Sequence, residues 1–210
     1  MNRRAGPGRN CLRIIGGTHR RRSLRFPDRP GLRPTPDRVR ETLFNWLAGR
    51  VRGAHCLDLF AGSGALGLEA LSRGAASCWF VERDRHAAEA LSDNLALFGL
   101  GSDRLLRMDS RRALELAPWS EQEPVDLVFV DPPFAVAGLD DAVLERLDCA
   151  DWLASDAAIY LEHSAARGRP RIPAGWAVHR SGHAGESAYL LLLRNPAGSP
   201  LTGESPAASQ

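Results

Sequence analysis

A glycine-rich segment in the first third of the chain offers a backbone that could approach a ligand closely. Residues 58–67 read DLFAGSGALG, and Glu82 stands 20 positions after Gly62. Glycines let a backbone turn tightly and meet a ligand at the positive end of a following helix. The spacing of the glycines from Glu82 also fits a nicotinamide dinucleotide site. Because turn glycines often match that pattern by chance, the segment alone does not identify the ligand.

The carboxylates around this segment favour a different ligand. Asp58 precedes Gly62 by four positions, and a carboxylate there would repel a pyrophosphate. It suits a ligand with an ammonium group, such as the amino-acid end of S-adenosylmethionine. Glu82 would then accept hydrogen bonds from both ribose hydroxyls, and Asp109 could accept one from the adenine amino group. Asp109 also fits a simple helix N-cap before Ser110.

A second group of candidate residues is the tetrapeptide DPPF, which consists of Asp131, Pro132, Pro133 and Phe134 and follows the apolar run VDLVFV. Ligands of open α/β sheets bind at the carboxyl ends of the strands, which places DPPF beside the glycine segment. Proline donates no N–H, so nearby carbonyls have fewer partners. The Asp131 carboxylate and the Pro132 carbonyl could accept both hydrogens of an exocyclic amine and hold its nitrogen in line with a sulfonium methyl. Phe134 offers a ring for an extruded base. We predict a catalytic loop here rather than an ordinary Pro-Pro turn.

Alternating strands and helices must position these residues. The expected strands are 55–60, 77–82, 104–108, 125–131 and 157–162, and the expected helices are 65–73, 84–98, 110–116 and 139–147. This order predicts an α/β fold, with a parallel sheet covered by helices on both faces. Residues 176–194 depart from this alternation of strands and helices and predict a final antiparallel hairpin around Gly182 and Gly185.

Short elements precede the sheet. Cys11–Ile15 predicts a strand that pairs with residues 20–26. A helix is expected next, with Thr35 as its N-cap and Pro36 as its first residue. Arg40 falls within the apolar face of that helix. Its guanidinium is therefore expected either to reach solvent or to point at something bound between the helix and the rest of the protein.

Charge is distributed unevenly along the chain. All 27 basic residues are arginine, and residues 1–52 carry a net charge of +11 against −9 for residues 53–210. A basic block of this density is typical of a protein with a phosphate-rich partner, because each neutralised phosphate releases counterions. A solvated tail in an arginine-biased proteome is the alternative. We predict that the basic block binds nucleic acid.

Length and composition exclude several classes. The 210 residues suit one globular domain, at 44% hydrophobic and 25% charged residues. The longest apolar run, residues 188–193, is far short of the roughly 20 residues of a membrane helix, and no apolar stretch follows the basic start as in a secretory signal. The four cysteines form no CxxC pair and the histidines no metal-like pair. We expect a cytoplasmic protein with reduced thiols and without a metal or a membrane partner.

Together these segments resemble a class I S-adenosylmethionine-dependent methyltransferase that modifies amino groups. RIIGG at residues 13–17, LRPTPDRVRETLFNWL at 32–47 and EALSRG at 69–74 make the chain similar to the bacterial RsmD family. The resemblance covers residues from about 12 to about 194. It implies a Rossmann-like, mostly parallel seven-stranded sheet with an antiparallel C-terminal hairpin and a small N-terminal hairpin-and-helix extension. Arg21 departs from the family, which usually has Gly there.

The resemblance also implies an activity and its site. The activity is methyl transfer from S-adenosylmethionine to N2 of a guanine in 16S rRNA, guanine 966, within the small ribosomal subunit or an assembly intermediate. The expected cofactor-binding residues are Asp58, Phe60, Gly62, Ser63, Gly64, Glu82, Arg83, Asp109 and Ser110. The expected RNA-binding residues are Arg13, Arg20, Arg21, Arg22, Arg33 and Arg38.

The expected organisation has four parts. Residues 1–10 and 195–210 are predicted to be disordered tails, 11–52 an RNA-binding extension and 53–194 the methyltransferase domain. Two other functions stay open. The proline loop alone permits an adenine-N6 methyltransferase acting on RNA or DNA, and the basic segment alone permits a non-catalytic RNA-binding protein of ribosome assembly. A nicotinamide oxidoreductase is a more distant possibility.

Overall fold

The computed structural model describes residues 11–27 and 35–195. The strands are β1 Cys11–Arg13, β2 Ser23–Arg25, β3 His55–Asp58, β4 Ser77–Val81, β5 Leu105–Leu106, β6 Val125–Val130, β7 Leu153–Ser164, β8 Trp176–Ala184 and β9 Ser187–Arg194. The helices are α1 Asp37–Trp46, α2 Ala65–Ser72, α3 Arg85–Leu97, α4 Ser110–Leu116 and α5 Leu139–Asp148, with a short 3-10 turn at Ala165–Arg167. Arg33 and both predicted tails, apart from Asn195, lie outside the described residues.

Seven strands form one sheet in the order β5-β4-β3-β6-β7-β9-β8. Strands β3 to β7 run parallel, whereas β9 runs antiparallel to both β7 and β8. Strands β1 and β2 form a separate antiparallel pair. The predicted α/β class, the mostly parallel seven-stranded sheet and the C-terminal hairpin are therefore confirmed.

The order of the strands reverses at β3. From β3 the chain builds outward through β4 and β5, and then returns to place β6 on the other side of β3. A crevice opens at such a switch point, beyond the carboxyl ends of the strands. Asp58 is the last residue of β3 and Asp131 directly follows β6, so both candidate carboxylates stand at this crevice.

Apolar side chains cover both faces of the sheet. One face packs against α4 and α5. The other packs against α1, α2 and α3, and Leu12, Ile14 and Leu24 of the N-terminal hairpin belong to the same buried cluster as Phe129 of β6. Burial of each such side chain contributes about 1.5–3 kcal/mol. The N-terminal hairpin is therefore packed into the main core on one face of the sheet.

The element boundaries differ from the sequence prediction at several places. The expected strand 104–108 shortens to Leu105–Leu106, and the expected strand 157–162 lengthens to Leu153–Ser164. Within the expected strand 20–26 only Ser23–Arg25 pairs with β1, because the residues before it form the hairpin turn. Helix α1 begins at Asp37 with Pro36 at its N-cap and no side-chain cap. Thr35 is therefore not the cap of this helix.

A search of the described residues found neither a helix suited to crossing a bilayer nor a group of three or more metal-binding side chains.

Candidate active site

The glycine segment turns from β3 into α2 in a conformation that requires glycine. Gly64 has a φ of +80°, and a Cβ built on it would lie 2.5 Å from Cδ1 of Leu91 in α3. A Cβ on Gly67 would lie 2.3 Å from the Phe80 ring of β4. These glycines thus let α2 and α3 pack closely against each other and against the sheet, which brings the start of α2 to the crevice.

Asp58 is buried beneath this turn. Asp58 is 2% exposed, and its Oδ2 accepts a hydrogen bond from the backbone N of Gly67 at 3.1 Å. Burial raises the pKa of Asp58 to about 7, and the nearby charge of Glu82 acts in the same direction. Hydrogen bonds from the N–H groups of Gly67 and Phe60 oppose this rise. A positive ligand group here would relieve the cost of the buried charge.

Glu82 connects the glycine segment to the end of β4. Its Oε2 accepts from the Gly62 backbone N at 2.8 Å, and its Oε1 accepts from the Asp84 backbone N at 2.7 Å. Burial raises the pKa of Glu82. Each carboxylate oxygen has a second lone-pair direction, so Glu82 can accept further hydrogen bonds from a ligand.

The predicted catalytic loop, residues 131–134, presents one carboxylate and one carbonyl at the end of β6. Pro132 is buried, and the Pro133 carbonyl accepts a hydrogen bond from the Val136 backbone N at 3.1 Å. Among the described residues, no group donates to the Pro132 carbonyl. Phe134 is half-buried. The Pro132 carbonyl therefore keeps its capacity to accept a hydrogen bond, as predicted from the two prolines.

Asp131 lies among other acidic side chains. Burial raises its pKa well above the usual range, and the negative charges of Glu162 and Asp58 raise it further. A hydrogen bond from Thr35 Oγ1 to Asp131 Oδ2, at 3.5 Å, acts in the opposite direction. We call Asp58, Asp131 and Glu162 the acid cluster. Its members come from three adjacent strands or their ends, β3, β6 and β7.

Comparisons with known proteins agree with this geometry. The sequence profile of a family described as "Conserved hypothetical protein 95" matches residues 12–193. Ribosomal RNA small subunit methyltransferase D of Escherichia coli (strain K12) is 48% identical over 191 residues, which cover 91% of this chain and 94% of that protein. The chain belongs to the RsmD family.

Other relatives extend the comparison. The putative rRNA methyltransferase YlbH of Bacillus subtilis is 39% identical over 72% of this chain and 82% of its own length. The solved structure of the putative methyltransferase yhhF from Escherichia coli is 46% identical, with a TM-score of 0.78 over 88% of this chain and 98% of that one. A putative methyltransferase complexed with SAH, 15% identical with a TM-score of 0.57, shares the fold.

Three further predicted cofactor residues of this RsmD-family chain, Arg83, Asp109 and Ser110, follow strands β4 and β5. Asp109 caps α4 by accepting from the Arg111 backbone N at 3.0 Å, and its side chain also bonds the Arg111 guanidinium. These hydrogen bonds hold the pKa of Asp109 below its usual value. Arg83 is exposed and Ser110 is buried. The N-cap interpretation of Asp109 is thus observed, and its contact with adenine stays a prediction.

The last two predicted cofactor residues lie in the turn itself. Phe60 is half-buried and Ser63 is buried. The Ser63 carbonyl accepts from Nδ2 of Asn94 at 3.0 Å, and Asn94 also exchanges hydrogen bonds with the backbone N and O of Arg25. Asn94 was missed by the sequence analysis, although it is a polar residue beside Leu91 and Leu95 on the apolar face of α3.

The Arg40 side chain adopts neither of its two predicted arrangements. It is fully buried, and its guanidinium donates to the carbonyls of Thr35 and Arg13 and to the carboxylates of Asp37 and Glu69. It reaches neither solvent nor a bound group, because these acceptors satisfy its donors within the protein. The apolar periodicity of α1 could not reveal the distant partners, Arg13 and Glu69, which lie elsewhere in the chain.

Glu69 of α2 is the buried partner that organises this region. Its two oxygens accept from the backbone N atoms of Ile15 and Gly16 at 2.8 Å and from Nε of Arg73 at 2.7 Å. Arg40 Nη1 lies 3.5 Å from Glu69 Oε2. We call Arg40, Asp37, Glu69 and Arg73, two cations and two carboxylates, the balanced cluster. It fastens the N-terminal hairpin to α2 through hydrogen bonds to the hairpin backbone.

The predicted RNA-binding arginines fall into two places. Arg13 and Arg38 are exposed near the start of α1. The turn residues 20–22 lie at the far end of α3, where the Arg22 guanidinium stands 5.7 Å from the centre of the Phe98 ring. Helix α3 has 13 residues, or about 20 Å, and its opposite end meets the crevice. The structure therefore does not bring residues 20–22 to the catalytic loop.

Arg21 occupies a position where the RsmD family usually has Gly, and its backbone explains the preference. Its φ is +70°, in the left-handed region, and its N–H donates to the Ile14 carbonyl at 2.8 Å. The hairpin turn is kept despite the arginine. An L-residue in this conformation costs about 1–2 kcal/mol.

Proposed function

We propose that this chain transfers the methyl group of S-adenosylmethionine to the exocyclic N2 of a guanine in 16S rRNA, guanine 966 by family resemblance. As a member of the RsmD family, it is an S-adenosylmethionine-dependent rRNA methyltransferase. The guanine nitrogen, the position in 16S rRNA, the small-subunit context and a cytoplasmic site of action are the finer parts of the proposal.

One observation carries the assignment of the site. The ends of two adjacent parallel strands, β3 and β6, place Asp58 under the glycine turn and the Asp131–Pro132 pair next to it. A cofactor at the glycine turn and an amine at the proline loop would therefore be neighbours. Proximity of this kind supplies much of the rate enhancement of a displacement reaction between two bound groups.

The residues at the crevice fit S-adenosylmethionine, because the acid cluster holds negative charge without an arginine partner among the described residues. Asp58 and Glu82, with the glycine turn, would hold the cofactor, and Asp109 would hold its adenine. When bound, the cofactor supplies an electrophilic methyl group on a positive sulfur.

The catalytic loop would orient the acceptor nitrogen. The lone pair of an exocyclic amine is delocalised into its ring, which makes the nitrogen a poor nucleophile. The Asp131 carboxylate and the Pro132 carbonyl accept its two N–H hydrogens, favour a pyramidal nitrogen and aim the lone pair. The base must be unpaired or extruded to enter, and the half-buried Phe134 offers it a stacking surface. The nitrogen would bond the methyl carbon as the carbon–sulfur bond breaks, and the Asp131 carboxylate, which accepts one N–H, would receive the proton that the nitrogen loses.

The arginines would bind the flanking RNA. Arg13 and Arg38 lie near the start of α1, on the exposed side of the N-terminal segment. Residues 20–22 would contact a separate stretch of phosphates, and Arg33 is proposed as a further contact. Arginine suits this task because its planar fork can bond phosphate in a bidentate manner. We propose residues 11–52 as the RNA-binding part and 53–194 as the catalytic part.

Mass spectrometry of 16S rRNA from a strain that lacks this protein tests the proposal. We expect loss of one N2-methylguanine, restored by the wild-type gene and not by Asp131→Ala. Loss of an N6-methyladenine instead would favour an adenine methyltransferase. An unchanged methylation pattern in a strain with a defect in subunit assembly would favour a non-catalytic role.

A binding measurement separates catalysis from cofactor binding in the same variant. Calorimetry with S-adenosylhomocysteine should give Asp131→Ala an affinity close to wild type, while its turnover falls by at least about a hundredfold. Near-normal turnover of Asp131→Ala would remove this residue from the mechanism. Binding of NAD without S-adenosylhomocysteine would instead favour an oxidoreductase.

A further inference from the structure

Two buried polar side chains flank Asp131 and have no part in the mechanism above. Thr35 is 6% exposed, and its Oγ1 donates to Asp131 Oδ2 over 3.5 Å. Glu162 is 4% exposed and lies on β7, where the pairing of Val130 with Leu161 brings the next residues of both strands side by side. Building on the proposed function, we propose that Thr35 and Glu162 are positioning residues: Thr35 holds the Asp131 carboxylate by a hydrogen bond, and the two residues together set the pH range in which Asp131 accepts the amine hydrogen.

Glu162 is fixed in place by two hydroxyl groups. Its Oε1 accepts from the Tyr160 hydroxyl and its Oε2 from Ser187 Oγ, both at 2.8 Å. Tyr160 lies on the same strand, whereas Ser187 reaches across from β9. Since each oxygen has its own donor, the carboxylate is held at one location beside the predicted catalytic loop. Among the described residues, no cationic side chain forms an ion pair with it.

Thr35 is fixed through its backbone. Its carbonyl accepts from Nε of the fully buried Arg40 at 3.3 Å, and Arg40 belongs to the balanced cluster. The N–H groups and carbonyls of the N-terminal hairpin are bound to the same cluster. The N-terminal segment thus supplies a hydroxyl donor to the carboxylate of the catalytic loop, from a rigid base.

The two residues act on Asp131 with opposite electrostatic sign. The groups that face Asp131 are Asp58 from β3, Glu162 and Tyr160 from β7, and Thr35 from the segment before α1. After burial, the charge of Glu162 is the largest cause that raises the pKa of Asp131, and the Thr35 hydrogen bond lowers it. A protonated Asp131 loses the negative charge that accepts the amine hydrogen, so turnover should follow its ionised fraction.

The test compares the pH dependence of kcat/KM on small ribosomal subunits from the strain that lacks the protein. Glu162→Gln should move the acid limb of the profile to lower pH by about 1 pH unit, because a negative neighbour has been removed. Thr35→Val should move it to higher pH by about 0.5 unit, because a donor to the ionised form has been lost. Thr35→Ser keeps the hydroxyl and should restore the wild-type profile. The exposed Glu186→Gln, in the turn between β8 and β9, is the matched control and should leave the profile unchanged.

A second readout needs no turnover. Carbon-13 NMR of the aspartate carboxyl groups, with the Asp131 signal assigned by its loss in Asp131→Asn, should show the same opposite displacements of the Asp131 titration midpoint. If Glu162→Gln fails to fold, Thr35→Val and Thr35→Ser carry the test alone.

Folded variants that keep the wild-type midpoint and the wild-type acid limb would overturn the inference. An inactive wild-type enzyme, or a fully active Asp131→Ala, would instead overturn the proposed function, and the NMR midpoints would still decide whether Thr35 and Glu162 control Asp131.

Discussion

Two groups of largely buried charged side chains lie close to the predicted catalytic loop and are stabilised in opposite ways. In the balanced cluster, Glu69 accepts hydrogen bonds from two guanidinium groups and two backbone N–H groups. In the acid cluster, the donors are hydroxyl and backbone N–H groups. None of the ion pairs found among the described residues reaches Asp58, Asp131 or Glu162.

The difference distinguishes a structural cluster from a ligand site. Burying a charge is costly unless a partner compensates it. The balanced cluster contains its own compensation, and its hydrogen bonds end on the backbone of the hairpin. The acid cluster is left with negative charge at the crevice, which a cationic ligand would compensate. The net positive charge of S-adenosylmethionine has the required sign.

The largest effect should come from breaking the balanced cluster. Arg40→Met takes one of the two cations from Glu69 and leaves the carbonyls of Thr35 and Arg13 without their Arg40 donor, so it should lower the free energy of unfolding by about 3–5 kcal/mol. Denaturant unfolding measures this change. The double variant Arg40→Met/Glu69→Gln should recover part of the loss, and Arg85→Met, which breaks an exposed pair with Glu89, should leave the unfolding midpoint unchanged. An Arg40→Met protein as stable as wild type would contradict the claim that the balanced cluster stabilises the fold.

Removing a charge from the acid cluster should change the stability in the opposite direction, because it should raise the free energy of unfolding. Burial raises the pKa of Asp58 from the ordinary value of 3.8 to about 7 in the folded protein, so the folded state loses stability as the pH rises through this window. Asp58→Asn should abolish that loss and exceed wild type in stability above pH 7 by about 2–4 kcal/mol. Unfolding free energies of the ligand-free protein measured across this range provide the check. The contrast fails if the two proteins show parallel pH profiles.

Cofactor binding should reveal the uncompensated charge directly. S-adenosylmethionine carries a positive sulfur that S-adenosylhomocysteine lacks. As the acid cluster ionises with rising pH, the preference for S-adenosylmethionine should grow by about 3- to 10-fold between about pH 5.5 and 8. Calorimetric titrations with both ligands measure the ratio, and Asp58→Asn should flatten its pH dependence. A ratio that is constant with pH would mean that the cluster does not sense the sulfonium.

The smallest effect is expected at the hairpin turn that the balanced cluster fastens to α2. Arg21→Gly relieves the left-handed conformation and should raise the unfolding free energy by about 1 kcal/mol. The same variant should weaken RNA binding slightly and reduce its salt dependence, since a phosphate contact is lost. Arg20→Gly, one position away, removes an equal charge without relieving that strain, so it should reduce the salt slope without stabilising the protein.

The chain alone predicts well that Asp58 and Asp131 lie at neighbouring strand ends, because the signals for these positions are local. An apolar strand followed by DPPF, and another followed by a glycine turn, fix the positions of Asp58 and Asp131 once the sheet is parallel. The residues that surround these carboxylates could not be predicted in the same way. Thr35, Glu162 and Asn94 act through contacts with residues distant in sequence, and no spacing rule within one segment encodes such contacts.

Arg40 shows the same limit for a buried residue. Its position in an apolar helical face is evident from the sequence, but a single helix cannot specify that the opposing surface carries the Glu69 carboxylate and the Arg13 carbonyl. Thr35 was predicted to cap α1 on the same local grounds. Its hydroxyl points instead to the catalytic loop, because tertiary contacts outweigh a cap that contributes about 1 kcal/mol.

The packing of the N-terminal hairpin and α1 into the main core limits how RNA recognition can diverge among relatives. Exchange of the whole segment between homologues would replace the side chains that pack against α2 and α3 with side chains of a different shape. Such chimaeras should therefore be less stable than either parent. Divergence toward a new RNA target would therefore proceed through single replacements on the solvent side of the hairpin, while its inner face is conserved together with the enzyme beneath it.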